Sequence, residues 1–407
     1  MSAVPHARVL AAEGGVRVRE RLVEFLDDAE ARTAAAAAES SALVLEAGEA
    51  TADELAATAA ALRGAGAFAR VHDGRLIVAG TRSALAAARA TAELAARPLL
   101  NELARAFDAD RTRPALLRLR DIILDLDERP RVMGILNVTP DSFYDRGRSN
   151  GVDAARERAA EMVALGASII DIGGQSYAHW NPRIAAGEER ARVVPVVEAL
   201  VRDELGVALS IDTFKSSVAE AALAAGAHAI NDCSGLSDES LAGVVARYDA
   251  GLIVMHLRGE LNVREADYRY DDALGEIMGF LRERCDSALA AGVARDAIAV
   301  DPGLEFGKEP RTDLEILERF GDLRSLGYPI LLAASRKSFI GRVFDQPANE
   351  LLVPSLATAA AGILAGAGLI RVHDVAETAQ LARMLGALRA KNRTVLPIAP
   401  KMPRTPA

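Results

Sequence analysis

Eight short apolar runs follow one another between residues 132 and 372: VMGILN (132–137), SIIDI (168–172), VALSID (207–212), HAIND (228–232), GLIVMH (251–256), AIAVD (297–301), PILLAA (329–334) and LIRV (369–372). Each is too short for a packed helix and is parted from the next by a stretch of helical pattern, the signature of parallel strands covered by helices. Eight such units over roughly 260 residues match a (β/α)8 TIM barrel, with a doubly wound open sheet as the competing arrangement. The polar residues decide between them. Nearly every run ends in one: Asn137, Asp171, Asp212, Asn231 with Asp232, His256, Asp301, Ser335 to Lys337, and Arg371 with His373. An open sheet uses only the strands beside its switch point, whereas a barrel gathers chemistry at the carboxyl ends of all of them. The expected fold class is therefore α/β, a (β/α)8 TIM barrel preceded by a small amino-terminal α/β module.

That module reads as a strand at ALVLEA (42–47), a helix at ADELAATAAALR, two strands about an Asp73-Gly74 turn, and a long alanine-rich helix from about Ser83. Charge and proline in DADRTRP and DLDERP break the alanine-rich pattern between residues 108 and 130. Three segments are expected: a module of unassigned role (1–112), the barrel (113–392), and a proline-rich tail (393–407) that reads as disordered. Aromatic residues make up only 4% of a chain that is 50% hydrophobic, so aliphatic and alanine side chains must supply the core. With 57 acidic against 48 basic residues the formal charge is −9, which speaks against nucleic acid or an anionic membrane surface as partner. Any bound anion needs a local site. Cys233 and Cys285 do not make a disulfide framework, and no uncharged apolar run reaches the roughly 18 residues of a membrane span, so a cytoplasmic location is expected.

Two constellations carry chemistry. Asp212, Asn231, Asp301 and Lys337 would converge inside the barrel mouth as acceptors and donors for a heterocycle. Carboxylates accept from exocyclic amines and ring N–H groups, the amide offers both roles, and lysine donates to a carbonyl oxygen or ring nitrogen, a set that fits a pterin edge. Either aspartate alone has a helix-capping alternative. Arg371 and His373, with Asn137 across the closure, resemble an anion pocket near the last strands, and Asn137 offers a side-chain oxygen to Mg²⁺. Three loops complete the mouth. The first, Thr139 to Asn150, carries Phe143 and Asp145. The second starts at Gly173 and holds His179 and Trp180; the third, DPGLEFGKEP, holds Phe306, placed to stack on a flat substrate or to pack against the rim.

Taken together, MGILNVTPDSF, DIGG, SIDT, IND, DPG, SRKSFIG and RVHDV, in this order between about Arg131 and Leu388, resemble the dihydropteroate synthase family. The resemblance implies a transferase of folate synthesis that forms a C–N bond, joining 6-hydroxymethyl-7,8-dihydropterin pyrophosphate to 4-aminobenzoate and releasing pyrophosphate. It implies a pterin set of Asp212, Asn231, Asp301 and Lys337, and a pyrophosphate set of Asn137, Arg371 and His373, with Mg²⁺ on Asn137. Phe143, Phe306 and Ser338 would flank the aminobenzoate beside Lys337. Asp145, Lys337 and Arg371 would be catalytic, Asp145 by stabilising a pterin cation as the carbon–oxygen bond breaks. Small-molecule substrates and a homodimer are the implied partners.

The chain departs from the family in two loops. Where the family usually has GGESTRPG, this chain runs Gly173-Gly174-Gln175-Ser176-Tyr177-Ala178-His179-Trp180-Asn181-Pro182-Arg183, without the Thr-Arg pair that helps close the loop over the aminobenzoate. Arg183 is the nearest replacement, if the loop turns it inward. The first loop reads FYDRG in place of FSDGG, adding Tyr144 and Arg146. These departures frame the alternatives: a related pterin-binding protein with another second substrate or without turnover, or a methyltetrahydropterin-dependent methyltransferase. The latter has no use for the complete SRKSFIG and RVHDV motifs.

Overall fold

The structure is a computed structural model that describes residues 6–9, 26–27, 29–31, 33–34, 43–48, 50–111, 114–139, 151–177, 181, 183–263 and 268–389. Its amino-terminal part is a four-stranded antiparallel sheet of β1 (His6–Val9), β2 (Leu43–Gly48), β3 (Phe68–His72) and β4 (Arg75–Gly80), in the order β1-β2-β4-β3. The β3–β4 hairpin turns at Asp73 and Gly74, both at positive φ (46° and 74°), as a tight aspartate-glycine turn requires. Helix α1 (Ala52–Gly64) starts with a capping box, in which Thr51 and Glu54 exchange side-chain-to-backbone hydrogen bonds.

The alanine-rich helix expected to run on from Ser83 is in fact two. α2 (Arg82–Thr91) stops where Ala92 turns extended, and α3 (Arg97–Arg111) begins afresh with Pro98 in its first turn. Proline lacks the N–H an unbroken helix would need there, but it suits a helix start. A second difference lies in the charged stretch between module and barrel, where β5 (Leu116–Leu119) and β6 (Ile122–Asp125) pair as an antiparallel hairpin. Arg120, at φ 55°, makes its turn.

The barrel strands are β7 (Arg131–Asn137), β8 (Ile169–Gly173), β9 (Ala208–Asp212), β10 (Ala229–Asp232), β11 (Gly251–Met255), β12 (Ile298–Asp301), β13 (Leu331–Leu332) and β14 (Leu369–Val372), each within a residue or two of its apolar run. They are parallel and ordered β12-β11-β10-β9-β8-β7-β14-β13, and a parallel bridge between Val300 and Ile330 joins the two ends. Helices alternate with them: α4 (Gly151–Leu165), α5 (Ala186–Arg202), α6 (Ser216–Ala224), α7 (Leu241–Arg247), α8 (Ala273–Ala290), α9 (Pro310–Glu318), α10 (Ser338–Phe344) with α11 (Leu352–Ala365), and α12 (Val375–Arg389) after the last strand. The apolar stretch near residue 360 is thus a helix and a strand, and among the described residues no helix is long and apolar enough to cross a membrane.

Strand periodicity sets the layers inside. Successive side chains alternate faces, so Leu209, Ile211, Ile230, Val300 and Ile370 point out against the helices, while Met133, Ile169, Ala208, Ala229, Ile253, Ala299, Leu331 and Leu369 point in. The inward layer is floored by Leu117, Leu119, Leu124 and Leu126 from the β5–β6 hairpin. A Cβ on Gly251 would lie 2.2 Å from Leu119 Cδ2, so any larger residue at the start of β11 would have to displace the Leu119 side chain from its seat. Two residues up from Ile169, Ala229, Ala299 and Leu369 the same alternation brings Asp171, Asn231, Asp301 and Arg371 inward, and β9, starting lower, delivers Ser210 and Asp212. A polar layer rests directly on an apolar floor.

Candidate active site

Arg371 organises this layer. Its Nε donates to Asp171 Oδ2 at 2.7 Å and its Nη2 to Asp212 Oδ2 at 2.6 Å, while Asn231 Nδ2 donates to the same Asp171 oxygen at 3.1 Å. Asp171 is fully buried and Asp212 and Asn231 nearly so. One guanidinium therefore faces two carboxylates. Among the described residues Asp171 Oδ1, Asp212 Oδ1 and Ser210 Oγ have no hydrogen-bond partner although each is buried. An unmet buried acceptor costs about 1–3 kcal/mol, so a site that keeps several is built to receive donors from outside.

Burial pushes the Asp212 carboxyl up to about 7 against the pull of Arg371, and Asp171 adds to the push. A carboxyl whose pKa is raised on folding holds its proton more tightly in the fold than in the unfolded chain. It adds stability as the pH falls through 7 toward the ordinary value of about 4, and withdraws it as the pH rises. The melting temperature of the ligand-free chain, measured relative to Asp212→Asn, should therefore fall as the pH rises from about 4 to about 7 and level off above that. A difference that does not change with pH would show Asp212 ionised throughout.

Asp301 lies across the layer, and its Oδ1 accepts the Gly303 N–H at 2.7 Å. Gly303 is at φ 67°, and a Cβ there would fall 2.0 Å from the His256 carbonyl oxygen, so the turn after β12 admits only glycine. Burial raises the Asp301 pKa, with Lys337 and the Gly303 N–H opposing. Lys337 donates to the Leu304 carbonyl and its ammonium stands 5.0 Å from the centre of the Phe306 ring. Phe306 packs with Tyr177, Phe214, Cys233, Met255 and Leu261 in an apolar wall on one side of the mouth.

The expected anion cluster does not close up on itself. Arg371 turns to the carboxylates, and His373 pairs instead with Ser335: the His373 backbone N–H donates to Ser335 Oγ at 3.2 Å and the hydroxyl lies 3.1 Å from His373 Nδ1. With Nδ1 as acceptor, the proton of the neutral ring sits on Nε2. Crowding by the protein and the positive charge of Arg371 push the pKa of this ring down to about 4, even though the residue keeps an exposed edge at the rim. Asn137 is exposed at the end of β7, where a Cβ on Gly173 would come within 3.2 Å of its Oδ1.

Ser338, read as an aminobenzoate neighbour, donates to Glu305 Oε1 at 2.7 Å, and the same oxygen accepts the Phe339 N–H at 2.8 Å. Arg336 of the SRKSFIG motif makes a two-pronged pair with Asp374 at 2.8 and 2.6 Å. Arg183 does not turn inward; its guanidinium donates to the Leu261 carbonyl at 2.6 Å and reaches Glu260 at 3.4 Å. Phe143, Asp145, Tyr144, Arg146, His179, Trp180 and the tail from residue 393 lie outside the described residues. Sequence reasoning passed over Lys308, which is buried and donates to His256 Nδ1 at 2.8 Å, Gly303 O at 2.7 Å and Phe306 O at 2.9 Å, fixing the third loop. Its signal was a lone lysine beside the glycines of DPGLEFGKEP. Glu305, at φ 70°, was passed over as well.

Comparison with known proteins agrees with this geometry. A profile of the family described as pterin binding enzyme matches residues 133–373. The dihydropteroate synthase of Bacillus subtilis is 42% identical over 269 residues, covering 66% of this chain and 92% of that one. That of Escherichia coli K12 is 38% identical over 264 residues, covering 65% and 93%. Among solved structures, Xanthomonas albilineans dihydropteroate synthase with 4-aminobenzoic acid aligns with a TM-score of 0.64 at 38% identity, covering 68% of this chain and 99% of that one. The Thermus thermophilus enzyme in complex with 6HMPPP aligns with a TM-score of 0.58 at 38% identity, covering 67% and 99%. The barrel, its inward polar layer and these likenesses lead to one statement: the chain belongs to the pterin-binding enzyme family, as a dihydropteroate synthase.

Proposed function

We propose that this chain condenses 6-hydroxymethyl-7,8-dihydropterin pyrophosphate with 4-aminobenzoate, giving 7,8-dihydropteroate and pyrophosphate. The observation that carries the reading is the set of buried, partnerless acceptors on Asp171, Asp212 and Ser210, seated beside Asn231 and Asp301, which suits the amine and ring N–H edge of a pterin. The bond from the pterin methylene carbon to the diphosphate oxygen breaks, a bond to the amine nitrogen forms, and the amine loses one proton. Asp212, Asn231, Asp301 and Lys337 orient the ring. Arg371, already held by two carboxylates, keeps further N–H donors for charge that grows on the leaving oxygen, and the Nε2–H of His373 adds another. Phe306 and Ser338 border the second substrate. Asp145, with Phe143, is assigned to the first loop by family likeness alone.

Mg²⁺ fits the residues present. Among the described residues no three His, Cys, Asp or Glu side chains gather as a metal cage, and the exposed amide oxygen of Asn137 is the single-ligand site that suits an ion completed by waters and diphosphate oxygens. Bound there, Mg²⁺ would neutralise diphosphate charge. Chelation with EDTA should therefore abolish turnover, restored by added Mg²⁺, while binding of a pterin lacking the diphosphate stays unchanged. Loss of that pterin binding on chelation would move the ion elsewhere.

Incubation with both substrates and Mg²⁺ tests the function directly, with dihydropteroate and pyrophosphate expected in equal amounts. No dihydropteroate from 4-aminobenzoate, with pyrophosphate and a new pterin–amine product formed once a different amine is supplied, would favour the second reading, another amine as acceptor. One feature supports that reading: Tyr177, where the family has threonine, stands in the wall with its hydroxyl 3.1 Å from the Asp212 carbonyl oxygen. A homodimer is supported by exposed Val343, Phe344, Val353 and Leu364 on α10 and α11. Free, buried Cys233 and Cys285 suit a reducing cytoplasm.

A further inference from the structure

The second loop, which departs most from the family, is tied to its neighbours by one side-chain chain of hydrogen bonds. Lys215 Nζ, beyond the end of β9, donates to buried Glu189 Oε2, to Ile184 O at 2.8 Å and to Gln175 Oε1 at 2.6 Å. The same Gln175 oxygen accepts the Ile184 N–H at 3.3 Å, so both arms of the loop meet at Gln175. The other end of this amide continues the chain, with Gln175 Nε2 donating to Asn262 Oδ1 at 3.3 Å in the loop after β11. Asn262 Nδ2 then donates back to Ser176 O at 3.0 Å and Asn181 O at 3.1 Å, one carbonyl on each arm. Asn262 holds φ 60°, a left-handed backbone that asparagine tolerates better than most residues.

The directions of these bonds are not interchangeable. Turning the Gln175 amide over would aim its NH₂ at the Lys215 ammonium, and turning Asn262 over would withdraw its donors from two carbonyls. Only a side chain that accepts at one end and donates at the other completes the link, and Gln175 is 4% exposed, where a mismatch cannot be relieved by solvent. A glutamate of the same shape would set one acceptor against another at Asn262 Oδ1. Between the ties stands Tyr177, its ring 6.1 Å from that of Phe214 in the apolar wall shared with Phe306.

We infer that Gln175 and Asn262 are positioning residues that latch the second loop to the loop after β11 and thereby set the wall against which the second substrate binds. The inference rests on the reading of 4-aminobenzoate, or an amine like it, as that substrate. Gln175→Glu and Asn262→Asp, both isosteric, are the test, with Gln175→Met as the variant that cannot titrate. Each should raise the KM for 4-aminobenzoate about tenfold while the affinity for the pterin pyrophosphate stays within about twofold. In the ligand-free variants, amide exchange at Ile184 should quicken about tenfold with the melting temperature nearly unchanged. Acidification should restore part of the loss in Gln175→Glu, as the carboxyl gains a donor, and none in Gln175→Met. Unchanged exchange would overturn the latch, and faster exchange with an unchanged KM would overturn its role toward the substrate. If the wild type made no dihydropteroate, the assignment of the second substrate would fall while the exchange measurement still decided the latch.

Discussion

Arg371→Ala is expected to cost the ligand-free chain roughly 3–5 kcal/mol of stability, because Asp171 and Asp212 would be left facing each other without their shared cation. Both carboxylates are buried and the guanidinium side chain is 18% exposed, so solvent would relieve little of this. Turnover should suffer separately. Losing the donors aimed at the departing diphosphate should lower kcat/KM by about a thousandfold, on the order of 4 kcal/mol. Arg371→Lys should recover more stability than activity, since lysine restores the charge but not the planar fork that reaches two partners at once. Calorimetric unfolding and steady-state kinetics separate the two effects. Unchanged affinity for the pyrophosphate substrate in a folded Arg371→Ala protein would show that the guanidinium serves only the carboxylates.

Asp301→Asn should act on the ligand rather than on the fold. The amide oxygen of asparagine can still accept the Gly303 N–H, so the turn after β12 is kept. The second oxygen becomes an NH₂ group, which would oppose any N–H donor of the ring it is meant to receive. Titration with a pterin lacking the diphosphate should show about a hundredfold weaker binding, roughly 2–3 kcal/mol. Retained affinity would remove Asp301 from the pterin set.

The fold was open to reading because barrel strands betray themselves twice, by length and by where polarity falls. In SIIDI, HAIND, AIAVD and LIRV a polar residue stands two places beyond an inward apolar one, and the structure turns all four polar side chains to the interior. The partner of Arg371 was not open to reading. Its two carboxylates lie 200 and 159 residues away along the chain, and a cation at a strand end gives no local sign of whether it awaits a ligand or is already paired. Local patterns also misled at the hairpin, where Arg118, Arg120 and Asp121 masked two short apolar runs; Arg118 in fact pairs with Asp249 and Asp296 below the barrel. Ser338 and Arg183 illustrate the remaining gap. Family resemblance named Ser338, and loop position offered Arg183 if it turned inward; their hydrogen bonds to Glu305 and to the Leu261 carbonyl are fixed by loop conformations that no spacing rule encodes.

The leucines of the β5–β6 hairpin carry a kinetic consequence. They close the lower end of the cylinder beneath its packed inward layer, so the polar layer can be reached only from the carboxyl ends of the strands. If the bicyclic substrate takes the berth on that layer and the amine lodges above it, product-inhibition kinetics should show the first arriving ahead of the second; random-order kinetics would place the two side by side.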